Sequence, residues 1–293
     1  MPNYLIATSS TSDLTLDYLE DHHIPFISYS YLCGETPCVD DCREDSRQKV
    51  YEGMRQGNLL KTSMITTTQY EDFFSQLLAN GQDVIFLDMS QKMSSSYENC
   101  QLAAERISQK YPERRLYVMD TRCISGGLGL LVQEMVRRME AGQSFEETVA
   151  WGEENKLKIA HRFTVNDLKY LKAGGRVSNF SALVGTMLSI KPVLYVPDAG
   201  TLDVIEKARG RKSALKSILD GVLRDLSQVD AAGREVHILH ADCLQDAEWV
   251  RDALRKAHPE LGDIVISNLG VVIGAHCGPG LIAVFYLCAG RQE

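Results

Sequence analysis

Short apolar runs, each followed by a helix-like segment, dominate the first half of this 293-residue chain. Tyr4–Ala7, Asp83–Leu87 and Leu116–Met119 have the length and composition of strands, and apolar side chains recur at helical spacing after each of them. The run Asp83–Leu87 is apolar after its first residue, which suits a strand buried on both faces of a sheet. This alternation predicts a parallel sheet covered by helices, with ligand-binding groups at the carboxyl ends of its strands.

The pattern changes after about residue 157. Ile159–Val165 resembles a strand, and Lys191–Val196 and Leu202–Lys207 flank a turn as the two arms of a hairpin. Helices at about 182–189, 212–227 and 245–257 and strands at 235–240 and 263–267 complete this half. We predict an α/β fold of two lobes: residues 1–157 with a mostly parallel sheet flanked by helices, and residues 158–293 with a mixed or antiparallel sheet and helices.

A glycine-rich segment near the C-terminus precedes a strand-like run. Gly270–Gly280 contains four glycines and a proline, so we expect an irregular backbone that approaches a ligand closely. Its single histidine, His276, can donate or accept a proton near neutral pH. Leu281–Cys288 is apolar throughout and predicts a buried strand behind that histidine.

Three further local predictions concern loops and helix ends. Residues 33–45 are polar and predict a loop before a helix at 46–56. Ser12 or Asp13 is the expected N-cap of the first helix. Ser144 and Glu147 have the spacing of a capping box and predict the start of another helix.

Hydroxyl side chains cluster in three segments: Thr62 with Ser63, the run Ser94–Ser96, and Ser125. A carboxylate accepts about four hydrogen bonds, so neutral hydroxyl donors brought together could bind one without a full positive charge. The serines after the Asp83–Leu87 strand also precede a helix, whose free N–H groups attract anions. The alternative is that these hydroxyls cap helices, for which Ser94 and Thr68 are well placed.

Composition excludes several classes of protein. The formal net charge of −8 argues against a nucleic-acid partner, and no apolar run approaches the roughly 18 residues of a membrane span. The N-terminus lacks the basic start and apolar stretch of a signal peptide, so we expect a cytoplasmic protein. The eight cysteines suit small buried residues, with a metal or redox role at Cys33, Cys38 and Cys42 as the alternative.

Motifs of the common nucleotide-binding and hydrolase folds are missing. No Gly-x-Ser-x-Gly elbow and no Walker loop occurs, and the stretch Ala7–Asp13 after the first strand contains no glycine.

Arg176 and the basic residues at 207–212, among them Arg209 and Arg211, are either solvated surface or contacts for a phosphate or an acidic partner.

Seven motifs in order resemble those of the DegV family, bacterial proteins that bind a fatty acid and present its carboxylate to a separate kinase subunit. The resemblance covers nearly the whole chain and rests on Asp13-Leu14 after a hydroxyl-rich start, Thr62-Ser63, Met93–Tyr97, Asp120-Thr121 with Ser125-x-x-x-Gly129, Leu171–Ser178, Ile190–Pro192 and Gly274–Gly280. It implies a non-catalytic carrier that holds lipid between and within its lobes, with the fatty acid as its ligand and no metal or other cofactor. A kinase subunit is the implied partner, and transient membrane contact is expected.

The resemblance also implies the site residues. Thr62 and Ser94 match the residues that hydrogen-bond the fatty-acid carboxyl, and His276 matches the histidine near that head group. With their neighbours, the predicted carboxylate site is Thr62, Ser63, Ser94, Ser95, His276 and Gly278. Arg176 falls in the family's Gly-Gly-Arg turn, and Arg176, Arg209 and Arg211 are the predicted contacts for the kinase or the acyl phosphate.

Two departures from the family pattern affect this site. Ser9 stands where the family has an aspartate, and Ser95 stands where it has a glycine, which affects the turn beside the head group. An alternative function is a serine-dependent lipid hydrolase or acyltransferase that uses the same serines and His276, oriented by Asp120 or Asp242. A carrier for another anionic lipid or small hydrophobic acid is a third hypothesis.

Overall fold

The computed structural model describes residues 3–176 and 190–291. The described residues form thirteen strands and ten helices. The strands are β1 Tyr4–Ser9, β2 Phe26–Ile27, β3 Ser30–Cys33, β4 Thr36–Val39, β5 Leu60–Thr62, β6 Asp83–Asp88, β7 Leu116–Asp120, β8 Ile159–Thr164, β9 Ile190–Tyr195, β10 Asp203–Arg209, β11 Val236–His240, β12 Ile264–Asn268 and β13 Ile282–Leu287. The helices are α1 Leu16–Asp21, α2 Glu44–Arg55, α3 Thr67–Ala79, α4 Ser96–Lys110, α5 Gly126–Glu140, α6 Phe145–Asn155, α7 Lys169–Ala173, α8 Arg211–Leu226, α9 Leu244–Ala257 and α10 Val271–Cys277.

The first sheet is parallel and has the strand order β2-β1-β6-β7. All six residues of β6 are buried, because both faces of this central strand are covered. Phe74 of α3 packs edge-on against Phe86 of β6, which attaches that helix to the sheet. The parallel sheet predicted from the strand–helix alternation is confirmed.

The second sheet is mixed, with the order β10-β9-β8-β13-β11-β12. Its strands pair antiparallel except β11 with β12, and β9 and β10 form the predicted hairpin. The strand predicted after the glycine-rich segment is β13, which lies between β8 and β11 and is buried over residues 282–286. The predicted α/β fold class, with one parallel and one mixed sheet, is therefore confirmed.

Helix α5 lies between the two sheets. It contacts β1 and β6 on one side and β8, β11 and β13 on the other. Its first eight residues, Gly126–Gln133, are all buried. An added Cβ at Gly126 would lie 2.7 Å from the ring of Phe285, and one at Gly127 would lie 2.1 Å from Nε2 of His161. The glycines at the start of α5 therefore let it approach the mixed sheet.

Several local predictions were wrong. Residues 33–45 are not simply a loop, because β3 and β4 form a hairpin that β5 extends into a three-stranded sheet. The first helix is capped by Thr15, and Ser10–Ser12 form a 3₁₀ turn before it. The glycine-rich segment contains the helix α10, and only Gly278 and Gly280 within it have positive φ angles.

The capping box at Ser144 is confirmed. The helix predicted at about 182–189 lies outside the described residues.

Candidate functional site

A cavity of about 310 Å³ lies where the two sheets, α10 and the small three-stranded sheet meet. Most of its wall is apolar, and its lining comes from both halves of the chain. The apolar lining includes Met64, Met89, Ile124, Phe163, Leu171, Val196, Leu202, Leu269, Val272, Ile273, Leu281, Ala283 and Phe285. The cavity therefore suits a ligand with a substantial apolar part.

Six of the nine predicted site residues line this cavity: Thr62, Ser63, Ser94, Ser95, Arg176 and His276. They come from β5, the segment between β6 and α4, the end of α7 and α10. The other three, Gly278, Arg209 and Arg211, are not among the residues that line it. The structure thus brings most of the polar candidates together beside an apolar cavity.

Thr62 and His276 are joined directly across the site. Oγ1 of Thr62 lies 3.0 Å from Nε2 of His276, while Nδ1 of His276 is buried without a hydrogen-bond partner among the described residues. An added Cβ at Gly174 would lie 2.1 Å from that Nδ1, so the ring packs against the backbone there. Burial, followed by the nearby charge of Arg176, lowers the pKa of His276 to about 4. The imidazole is therefore neutral at pH 7.

Ser94 belongs to a short network of hydroxyls. Its Oγ donates to Oγ of Ser96 at 2.9 Å and accepts from the backbone N–H of Ser96 at 3.1 Å. Ser96 in turn accepts from the N–H of Ile65 at 3.1 Å, which ties this segment to the one that follows β5. The N-cap of α4 is Ser95 rather than Ser94, and it makes no side-chain capping hydrogen bond.

Ser95, the residue that replaces the family's glycine, has an ordinary backbone conformation. Its φ of −70° and ψ of −1° are accessible to any L-amino acid, so the turn does not require glycine. The side chain is exposed at the edge of the cavity. The substitution therefore adds a hydroxyl to the site without straining its backbone.

Arg176 lies beside this polar end, half buried. Its guanidinium donates to the carbonyl of Met93 from Nε at 3.2 Å and from Nη2 at 3.0 Å, and Nη1 donates to the carbonyl of Gly174. It has no ion pair with a carboxylate in residues 3–176 or 190–291. Burial lowers its pKa, although the guanidinium remains charged. A fixed positive charge thus lies next to the hydroxyls.

The other two candidate arginines lie elsewhere. Arg209 is exposed at the end of β10, an edge strand, and pairs with Ile190 of β9. Arg211 begins α8, and its Nε donates to Oδ2 of Asp246 at 2.8 Å. Gly278 follows α10 at a φ of 75°, and an added Cβ there would lie 2.1 Å from the ring of Tyr170. Its place in the structure is a tight turn.

The aspartate absent at position 9 has a counterpart on the neighbouring strand. Oγ of Ser9 donates to Oδ1 of Asp88 at 3.1 Å, and the hydroxyl of Tyr70 donates to Oδ2 at 2.9 Å. Asp88 is fully buried, and that burial raises its pKa to about 6. Asp88 is not among the predicted site residues, although an acid directly after the predicted strand Asp83–Leu87 was a usable signal.

Ser125 borders the cavity as well, but its hydrogen is already donated. Its Oγ lies 2.5 Å from Oδ2 of Asp13, a buried carboxyl whose pKa burial raises to about 7. Asp13 contacts Gly270 at the start of α10, where an added Cβ would lie 2.0 Å from Oδ1.

The arrangement needed by the hydrolase alternative is not formed by its two candidate acids. Oδ1 of Asp120 accepts from the N–H groups of Gln91 and Arg122, and Asp242 pairs with Arg55. Neither acid bonds to His276. All eight cysteines are free, and no cluster of three metal-ligating side chains occurs in the described part of the chain, including Cys33, Cys38 and Cys42. The helices of these described residues lack the length and apolar character of a membrane span.

Comparison with known proteins identifies the family. Residues 3–289 match the family described as "Uncharacterised protein, DegV family COG1307". The chain belongs to the DegV family. A DegV domain-containing protein of Clostridium perfringens is 35% identical to it over 288 residues, or 98% of each chain.

Solved DegV structures share the whole fold. A DegV family protein from Thermus thermophilus, described as binding fatty acid, superimposes with a TM-score of 0.86 at 25% identity over 97% of this chain and 99% of that one. A stearic acid-binding protein from Eubacterium ventriosum gives the same TM-score and identity over 97% and 98% of the two chains. Both relatives are described as binding a fatty acid, which is stearic acid in the second, and both have the fold found here.

Proposed function

We propose that this protein binds a long-chain fatty acid, buries the acyl chain in its cavity and holds the carboxylate at Thr62, Ser94 and His276. The observation that carries the proposal is an apolar cavity whose lining includes these hydroxyls, the neutral imidazole of His276 and Arg176. The protein itself is non-catalytic in this proposal and works in the cytoplasm of a bacterium.

The energetics of this site favour such a ligand. Each methylene that leaves water contributes about 0.8 kcal/mol, so the acyl chain supplies most of the affinity. A buried carboxylate without partners would cost several kcal/mol, and the hydroxyl donors remove that penalty. The neutral His276 adds no charge, so Arg176 is the cation that complements the carboxylate.

We further propose that the carboxylate is presented to a separate kinase subunit. A polar cleft of about 270 Å³ shares Met93, Ser94, Ser95, Arg176 and Leu202 with the apolar cavity, and its remaining lining includes Gln91 and Lys92. The head group would therefore lie next to a polar surface that a partner could approach. Arg176 faces that cleft directly, while the exposed Arg209 and the Asp246-paired Arg211 are proposed as more distant contacts.

The proposed division of the chain is a lobe of residues 1–157 and a lobe of residues 158–293, with the fatty acid between them. The parallel sheet ends at Asp120 and the mixed sheet begins at Ile159, and the cavity takes lining residues from both sides of the boundary. Transient membrane contact during loading belongs to the same proposal.

Native mass spectrometry of the protein as purified tests the binding proposal. We expect a bound species that denaturation releases as a long-chain fatty acid, in a ratio of one per chain. Thr62→Ala with Ser94→Ala should retain the fold but bind added stearic acid at least tenfold more weakly, since hydrogen bonds to a charged group contribute about 1.5–3 kcal/mol. Thr36→Ala, at an exposed position of β4, is the control and should bind like the wild type. Wild-type protein that neither carries nor binds a fatty acid would refute the proposal.

A further inference from the structure

The hydroxyl of Tyr29 is a buried polar group without a partner. The residue is 2% exposed, and its Oη makes no hydrogen bond to any described residue. Buried hydroxyls in folded proteins almost always have a partner, because leaving one unsatisfied costs about 1–3 kcal/mol. Tyr29 lies in the short segment between β2 and β3 and lines the cavity. An unsatisfied donor at the wall of a binding cavity indicates a ligand atom as its missing acceptor.

The surroundings of this hydroxyl place it at the polar end of the cavity. Burial raises the pKa of Tyr29, and the nearby hydroxyls of Ser96, Ser94 and Tyr70 offset part of that rise, although none of them meets hydrogen-bond geometry with its Oη. Ser94 donates to Ser96 and Tyr70 donates to Asp88, so neither hydroxyl donates to the oxygen of Tyr29. Arg176 is also close enough to interact with the phenol electrostatically.

The backbone holds Tyr29 firmly in this position. Its N–H donates to Oγ of Ser10 at 3.1 Å, and its carbonyl accepts from the N–H of Asp40 at 2.9 Å. Burial, together with the negative charge of Asp88, raises the pKa of Tyr29 well above its ordinary value. The phenol therefore stays protonated and remains a hydrogen-bond donor at every physiological pH.

We propose that Tyr29 is an additional head-group residue, whose phenolic O–H donates to the carboxylate of the bound fatty acid. The inference rests on the proposed function and deepens it. A carboxylate offers about four acceptor positions, so Tyr29 can bind it together with Thr62 and Ser94. The phenol then gains in the complex the partner that it lacks in the protein alone, and its contribution is selective for an acid over a neutral lipid.

Tyr29→Phe tests this assignment because it removes the oxygen and keeps the ring. In delipidated protein we expect stearic acid to bind roughly tenfold more weakly than to the wild type, which corresponds to about 1.4 kcal/mol. Octadecanol has the same chain but no charge, and its affinity should fall by a smaller factor. The melting temperature of the delipidated variant should equal or exceed that of the wild type, since an unsatisfied buried group has been removed.

Tyr4→Phe is the matched control. The hydroxyl of Tyr4 donates to the carbonyl of Gln143 at 2.9 Å and lies 2.7 Å from Oγ1 of Thr148, and Tyr4 does not line the cavity. This variant should melt at a lower temperature and bind stearic acid normally. Unchanged stearic acid affinity in Tyr29→Phe would overturn the inference while leaving the proposed function intact. A loss of stability like that of Tyr4→Phe would also overturn it, because it would mark Tyr29 as structural. Absence of stearic acid binding by the wild type would instead refute the proposed function.

Discussion

His276 is the residue in the site whose charge state most affects what the site can bind. Its pKa lies at about 4 because it is buried and close to Arg176, below the ordinary value of 6.5. NMR of the ring nitrogens should therefore show no titration between about pH 5.5 and pH 8, while free imidazole in the same sample titrates. Because the folded pKa is lowered, the unfolded chain takes up this proton first, and stability is lost as pH falls from 6.5 toward 4. An inflection near pH 6.5 in the His276 signals would contradict the neutral-imidazole assignment.

Asp88 should make stability depend on pH in the opposite direction. Burial raises its pKa from 3.8 to about 6, so the folded protein favours the protonated form. Its contribution is fully present below pH 3.8 and is lost as pH rises to about 6. Asp88→Asn should remove that loss. As pH rises from about 4 to about 7, the free energy of unfolding of the variant, measured in urea, should therefore increase by about 2 kcal/mol relative to that of the wild type. Asp72→Asn, on the exposed surface of α3, is the control and should follow the wild type. Parallel profiles for Asp88→Asn and the wild type would disprove this effect.

At the scale of elements, α10 contains a glycine at a position where helix propensity alone favours alanine. Gly274 is inside the helix, where alanine usually stabilises by about 1 kcal/mol. Here an added Cβ would lie 2.2 Å from the hydroxyl oxygen of Tyr51, which donates to the carbonyl of Leu269 at 2.9 Å. Gly274→Ala should therefore lower the free energy of unfolding by about 1–3 kcal/mol.

A double-mutant cycle identifies the cause of that loss. Tyr51→Phe removes the oxygen that Gly274→Ala would contact, so the double variant should be less destabilised than the sum of the single variants, by more than about 0.5 kcal/mol. Urea unfolding of the four proteins gives the coupling energy. Additive effects would mean that the contact with Tyr51 does not limit α10.

The elements that the sequence predicted well are those whose pattern is local. Strands such as β6 and helices with a capping box, such as α6, depend on composition and spacing within one short segment. The hairpin arm β4 was missed because its side chains are mostly exposed and carry no alternation. Helix α10 was missed because a glycine at each end and Gly274 inside it suggest a loop. Tertiary contacts with Tyr51 and Asp13 stabilise the helix despite these glycines.

The site was predictable only in part for a related reason. Thr62, Ser94 and His276 are far apart in the chain, and the motif order of a family, rather than any local period, grouped them. Tyr29 and Asp88 carry no such motif. Tyr29 became a candidate only through its missing hydrogen-bond partner, and Asp88 through its contacts with Ser9 and Tyr70, which are properties of the folded chain.

For the whole molecule, the position of the cavity couples ligand binding to the stability of both sheets. Helix α5 packs on both sheets, and the cavity beside it is lined by Met89 after β6 and by Phe163 of β8. A ligand that binds only this folded arrangement stabilises it by about 2.7 kcal/mol at a hundred times its Kd. Since the cavity needs both sheets in place, that stabilisation should reach both.

The two tryptophans allow each half to be followed separately. Trp151 lies on α6 in the N-terminal half, and Trp249 lies on α9 in the C-terminal half. Trp249→Phe leaves fluorescence from the first alone, and Trp151→Phe from the second alone. Saturating stearic acid should raise the unfolding midpoint of both delipidated variants by the same amount. Octanoic acid at the same concentration is the control. It has ten fewer methylenes, so its free energy of binding is less favourable by about 8 kcal/mol, and both midpoints should stay nearly unchanged. A shift seen by one tryptophan only would show that the ligand is held within one half, and the cavity would then not couple the two sheets.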